Sequence, residues 1–163
     1  MERAIKVLRL GVLIGLGAIA AGFVVLLAQS LSETMANPGL SLADGYWIGR
    51  LPWIAVGVCL VVGGSHLALV AGTLAAWIVG GAIRRLGVSL LVLVGAWWWL
   101  LVFLEGGVGA GCPGCVPSGP DPITAAYSLP QNAVLFLVLP AVLAGLLGLT
   151  AGPRRKVPTR VAG

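Results

Sequence analysis

Apolar residues fill four long blocks, at about 7–29, 51–82, 86–105 and 131–150. Polar and Gly/Pro-rich segments separate them. A helix needs about 20 predominantly apolar residues to cross a hydrocarbon core ~30 Å thick. The pattern therefore predicts an all-α polytopic membrane protein with four transmembrane helices in one domain, residues 1–163. Residues 30–50 and 106–130 form the two long loops, and 151–163 a basic tail. Asn37-Pro38-Gly39 is a turn signal, because proline presets φ and glycine accepts unusual backbone angles. Arg84 and Arg85 are expected in a very short turn between the second and third blocks. Pro140 falls inside the fourth block, where it removes one backbone donor and predicts a kink.

The second block carries the most pattern. Between Leu51 and Ala82 there is no Asp, Glu, Lys or Arg. A helix of that length would reach about 48 Å, so it must tilt or project beyond the hydrocarbon. Gly64, Ala68, Gly72, Ala76 and Gly80 recur every fourth residue. Such a seam of small side chains lets another backbone come close. Roughly opposite, Cys59, His66 and Thr73 follow one another at intervals of seven, which places them on one stripe. The first block offers Gly11, Gly15, Ala18 and Gly22 for close packing.

Composition narrows the class. Charged residues make up only 9% of the chain and apolar residues 59%. A soluble domain carries about 25% charged residues. The net charge of +5 raises the possibility of nucleic-acid binding. The cations, however, sit in clusters between apolar blocks without interleaved aromatics for base stacking, so nucleic acid is excluded as a partner. Nine of the ten Lys and Arg residues lie in the N-terminal segment, the Arg84-Arg85 turn and the tail; Arg50 is the exception. The positive-inside bias then puts both termini in the cytoplasm and both long loops outside a cell (plasma) membrane. The first block exceeds the ~7–15 residues of a signal-peptide core, which favours an uncleaved anchor. Tyr46, Trp47 and Trp53 at the mouth of the second block suit the headgroup region. Trp97, Trp98 and Trp99 point in three directions on a helix, so at least one should face lipid or a partner.

Candidate chemistry is sparse. Cys112-Pro113-Gly114-Cys115 stands in the second outer loop. A CxxC pair can be a redox disulfide, a metal site or a structural staple. Pro113-Gly114 fits the centre of a type II turn, which brings the cysteines together, and the outer face is oxidising. Zinc would need about four ligands, and this loop has no His and no third Cys. A Cys112–Cys115 disulfide is expected and no metal site, with Cys59 a buried free thiol. Four spans, both termini inside and extracytoplasmic cysteines resemble the layout of the quinone-linked thiol oxidases of the DsbB and vitamin K epoxide reductase kind. That resemblance implies Cys112 and Cys115 as a redox pair with a quinone as cofactor. Those families use two cysteine pairs, and this chain has one.

His66 is the candidate cofactor-binding residue, since an ionisable group at mid-membrane defaults to a functional hypothesis. It could ligate haem, bond a quinone or serve a proton path. A second histidine for bis-His haem is absent, and donation to a helix carbonyl across the seam is the competing role. Ser65 and Thr73 can bond their own helix backbone. Glu105 is expected to pair with Arg50 or meet water. No phosphate loop, HExxH, nucleophile–base pair or intramembrane carboxylate is present. The reading is a small accessory or stabilising subunit of a larger membrane complex, a respiratory one among the candidates, without catalysis of its own. It implies lipid and other membrane subunits as partners and no cofactor; the alternative is a quinone or haem shared with a partner subunit. The alternatives are the quinone-linked thiol–disulfide oxidoreductase and a small transporter or channel component.

Overall fold

The computed structural model describes residues 1–39, 51–109 and 133–151, with the backbone alone at 51–52 and 101–109. All of its regular structure is helical: α1 (Glu2–Ala36), α2 (Leu51–Val79), α3 (Ala82–Gly109), then a π-helical segment (Val134–Val138) that runs into α4 (Leu139–Thr150). α1, α2 and α3 are each long and apolar enough to cross a membrane, while 134–150 forms a shorter apolar helix. At 1.5 Å per residue that last stretch reaches about 26 Å, somewhat less than a ~30 Å hydrocarbon core.

α1 overruns its apolar block at both ends, where the flanking polar residues pair one turn apart. Lys6 and Glu2 form an ion pair at 2.9 Å. The Gln29 amide donates to Glu33 Oε1 at 2.9 Å, and Thr34 Oγ1 donates to the Ser30 carbonyl at 2.9 Å. α1 was expected to end near Gln29 and runs on to Ala36, stopping before Pro38 in the predicted Asn37-Pro38-Gly39 turn. The backbone N–H and side-chain amide of Asn37 both donate to the Glu33 carbonyl there, at 2.9 and 3.3 Å. The second boundary differs from expectation. Gly80-Gly81 reverses the chain, and Arg84 and Arg85 lie in the first turn of α3 instead of in the connection. The Gly80 N–H donates to the Ala76 carbonyl at 2.7 Å, an approach so close that a Cβ at Gly80 would collide with that carbonyl. Gly80 thus ends α2 and forms no part of its packing face.

Pro140 produces a change of helix type. It sits at the start of α4, directly after the π turn, in which the Leu139 N–H donates to the Val134 carbonyl, five residues back. Widening the preceding turn is one of the few ways a helix can absorb a proline.

α1 and α2 run antiparallel and form the closest-packed pair. A Cβ on Gly15 would lie 2.7 Å from the Gly64 carbonyl and the Ala68 nitrogen; one on Gly22 would lie 2.7 Å from the Gly57 carbonyl. The two crossings are seven residues apart on each helix, so the faces meet in register. α4 lies against α2 on a second face, with Gly72 directly against the Ala144 carbonyl, and a Cβ on Gly148 would lie 2.7 Å from the Gly72 carbonyl. The predicted seam on α2 is therefore shared: Gly64 meets α1, Gly72 meets α4, and Ala68 meets both. Ala76 is fully buried. The core fills in around these contacts, with Ala68, Leu69, Ala141 and Ala144 in one cluster and Ile19, Val61 and Val138 in another. α3 is the least buried of the three long helices. Among the described residues Val88, Leu91, Gly95 and Trp98 form its packed side, and Arg84, Arg85 and Trp99 beside them reach α4 and α2.

Candidate functional site

The polar stripe of α2 does not converge into one site. Cys59 is a free thiol exposed on the bundle surface, not the buried thiol expected. Its position on the side of α2 away from α1 explains the difference, since no described helix covers it. His66 and Thr73 are half-buried. Ser65, on a neighbouring face, is fully buried and donates to the Val61 carbonyl at 2.7 Å.

His66 is the best-defined polar group. Its Nδ1 lies 2.7 Å from the Val62 carbonyl, and the indole Nε1–H of Trp99 donates to its Nε2 at 2.7 Å. An indole nitrogen can only donate, so Nε2 must accept and the proton must sit on Nδ1, from which it is donated to Val62. Both ring nitrogens of a neutral imidazole are occupied. The rings of His66 and Trp99 stand 5.4 Å apart at 52°, and Trp98 meets Trp99 edge-on at 5.0 Å. This cluster joins α2 to α3. To bind a metal or a quinone, His66 Nε2 would first have to give up Trp99. The carbonyl it uses is one turn back on its own helix and does not cross the seam.

The tryptophan triplet divides as helix geometry requires. Trp98 is 8% exposed, whereas Trp97 and Trp99 are about half exposed. Trp98 Nε1 and Thr73 Oγ1 are buried and have no hydrogen-bond partner among the described residues. The His66–Trp99 bond was not derivable from residue spacing, because it links positions 33 residues apart on different helices. The available hints were a histidine within an apolar block and a tryptophan run in the next one.

Towards the end of α1 at Ala36, a shallow groove of about 290 Å³ is lined by Val25, Ala28, Gln29 and Trp53. Its one polar wall, Gln29, is already bonded to Glu33. Among the described residues no three His, Cys, Asp or Glu side chains cluster to hold a metal ion. Cys112, Cys115, Glu105 and Arg50 lie outside the residues whose side chains are described. The chain matches no known protein family, no curated protein and no solved structure. Fold and site thus define a class only: among the described residues, an all-helical bundle with three helices of membrane-crossing length and a half-exposed histidine–tryptophan contact between two of them.

One consequence is measurable. His66→Leu removes the acceptor of the Trp99 indole and the tie between α2 and α3. Trp99 is half exposed, so its indole can find another partner, and the loss should be about 1 kcal/mol, the net worth of an ordinary hydrogen bond. Thermal unfolding and intrinsic tryptophan fluorescence should both shift, with no visible absorption band lost. Disappearance of a haem-like band would reassign His66 as a ligand.

Proposed function

We propose that this chain is an integral membrane protein that serves as an accessory or stabilising subunit of a larger membrane complex. The observation that supports this is the outward face of α3. Ile83, Leu86, Leu90, Leu93 and Trp97 follow one another at alternating intervals of three and four, and all are more than half exposed. That is the interval at which one helix presents a continuous seam to another. Gly87 lies beside the seam, and a Cβ there would meet nothing within 4 Å. Among the described residues of α3, Arg85, Val88, Leu91, Gly95, Trp98 and Trp99 meet the rest of the chain, and the side holding Leu86, Leu90 and Leu93 is open to a neighbour. The indole of Trp97 and the aliphatic side chains supply area for such a contact, and the glycine lets a backbone approach.

The test uses the open space at Gly87. Gly87→Leu should leave the fold of the chain intact, because nothing within the bundle occupies that volume. It should lower recovery of co-purifying membrane chains several-fold if a partner helix seats there. Equal recovery from Gly87→Leu and the unaltered chain would assign this face to lipid and remove the support.

The same reading orients the chain. Arg9, Arg84 and the end of α4 lie at one end of the bundle, where the two arginines reach the carbonyls of Ala151 and Thr150. With the basic tail following Ala151, the positive-inside bias places this end in the cytoplasm. Reporter fusions at Gly163 and near Ser118 should then report opposite sides. Matching signals would overturn the four-span topology.

A further inference from the structure

The end of the bundle where α4 terminates gathers arginines in an unusual way. Arg9, in the third turn of α1, donates through Nη2 to the Ala151 carbonyl at 2.5 Å. Arg84, at the start of α3, donates through Nη1 to the Thr150 carbonyl at 3.3 Å. Two guanidinium groups from different helices thus meet on consecutive carbonyls at one helix C-terminus. A helix C-terminus carries only roughly half an elementary negative charge, so it offsets a fraction of two full positive charges. Among the described residues the one acid at this end is Glu2, and it pairs with Lys6. Each guanidinium has five N–H donors and spends one of them on a carbonyl; Arg9 Nε is buried and has no partner. Beside them Arg85 donates to the Trp77 carbonyl at 3.2 Å and stacks 5.5 Å over the Trp77 ring. A half-exposed tryptophan under an arginine is the pairing expected at the level of lipid headgroups. Arg154, Arg155 and Lys156 follow Ala151 in sequence after Gly152-Pro153.

We infer that Arg9 and Arg84 form a binding site for the phosphodiester of an anionic phospholipid headgroup. The inference rests on the membrane reading above. Planar guanidinium groups match phosphate oxygens in pairs, and basic pockets between helices on the cytoplasmic side are known sites for such headgroups. The carbonyls of Thr150 and Ala151 hold the two side chains in place before the lipid arrives. A bound phosphate would supply the counter-charge that the protein lacks there and tie α1, α3 and α4 together at that end.

The full chain, reconstituted in vesicles of phosphatidylcholine with and without phosphatidylglycerol, tests this. From an equimolar mixture, native mass spectrometry of the detergent-extracted protein should find phosphatidylglycerol retained about thirtyfold over phosphatidylcholine, as expected for two arginines at the surface. Arg9→Gln with Arg84→Gln should bring that ratio close to one. Arg3→Gln with Lys6→Gln removes the same charge outside the site and should keep it. Loss of the preference in both double variants would mean diffuse charge attraction and overturn the site. So would a preference matched by inorganic phosphate alone, which would make it a free-anion site. The unaltered chain needs no variant to fold: insertion into vesicles without phosphatidylglycerol preference sinks this inference only. A chain that stays in solution without detergent sinks the membrane reading with it.

Discussion

Gly64→Leu should prevent α1 and α2 from packing at all. A Cβ at Gly64 would already lie 2.6 Å from the Gly15 carbonyl and 2.9 Å from the backbone nitrogen of Ile19. Neither is the end of a flexible side chain that could swing aside. Both helices would have to separate along their length, because the second crossing at Gly22 and Gly57 is equally close. Overpacking a core costs about 1–3 kcal/mol, occasionally more. Here the obstacle is backbone on both sides, so about 3 kcal/mol or more is expected. The internal control is the adjacent residue: a Cβ at Gly63 meets nothing within 4 Å. Gly63→Leu should be tolerated to within about 0.5 kcal/mol, as surface substitutions usually are. Thermal unfolding in detergent, read with size-exclusion profiles, separates the two. Equal tolerance at 63 and 64 would refute the α1–α2 crossing.

Gly72→Leu should act on a different contact. Its new side chain would enter the Ala144–Gly145 backbone of α4, while the Gly15–Gly64 and Gly22–Gly57 crossings stay untouched. The expected result is partial: α4 loosens and α1–α2 persists, at a cost of about 2–3 kcal/mol. Hydrogen exchange resolves this by segment. Amides of Leu139–Thr150 should lose protection, and those near Gly57 and Gly64 should keep it. Val70, half exposed on the outside of α2, provides the mild comparison in Val70→Leu. Cooperative loss of protection in α1 as well would show that α4 is needed for the α1–α2 pair.

These two substitutions also mark what could be read from the chain. Small residues every fourth position said that something approaches α2 closely; Gly64, Ala68 and Gly72 lie against other helices, and Gly80 does not. The spacing could not say that two different helices share the seam, because that depends on where α4 comes to lie around α2. Helix number was legible because apolar runs are long and their interruptions sharp. Helix ends were less so. Polar residues beyond the apolar block, such as Glu2 with Lys6 and Gln29 with Glu33, extend a helix as readily as they end it. Arg84 and Arg85 looked like a turn because they are charged, yet the reversal belongs to Gly80-Gly81. The outward face of α3 was hidden for a further reason: a helix apolar all round gives no contrast between core side and outer side. His66 was visible as a candidate, but its partner Trp99 depended on how α3 meets α2.

Purification of the full chain from its native membrane in mild detergent, followed by mass spectrometry of the intact assembly, bears most directly on the subunit proposal. It should show the chain in fixed stoichiometry with other membrane proteins, and those partners should diminish with Gly87→Leu. A homogeneous preparation of this chain alone, stable in the same detergent and oxidising thiols with a quinone, would contradict it.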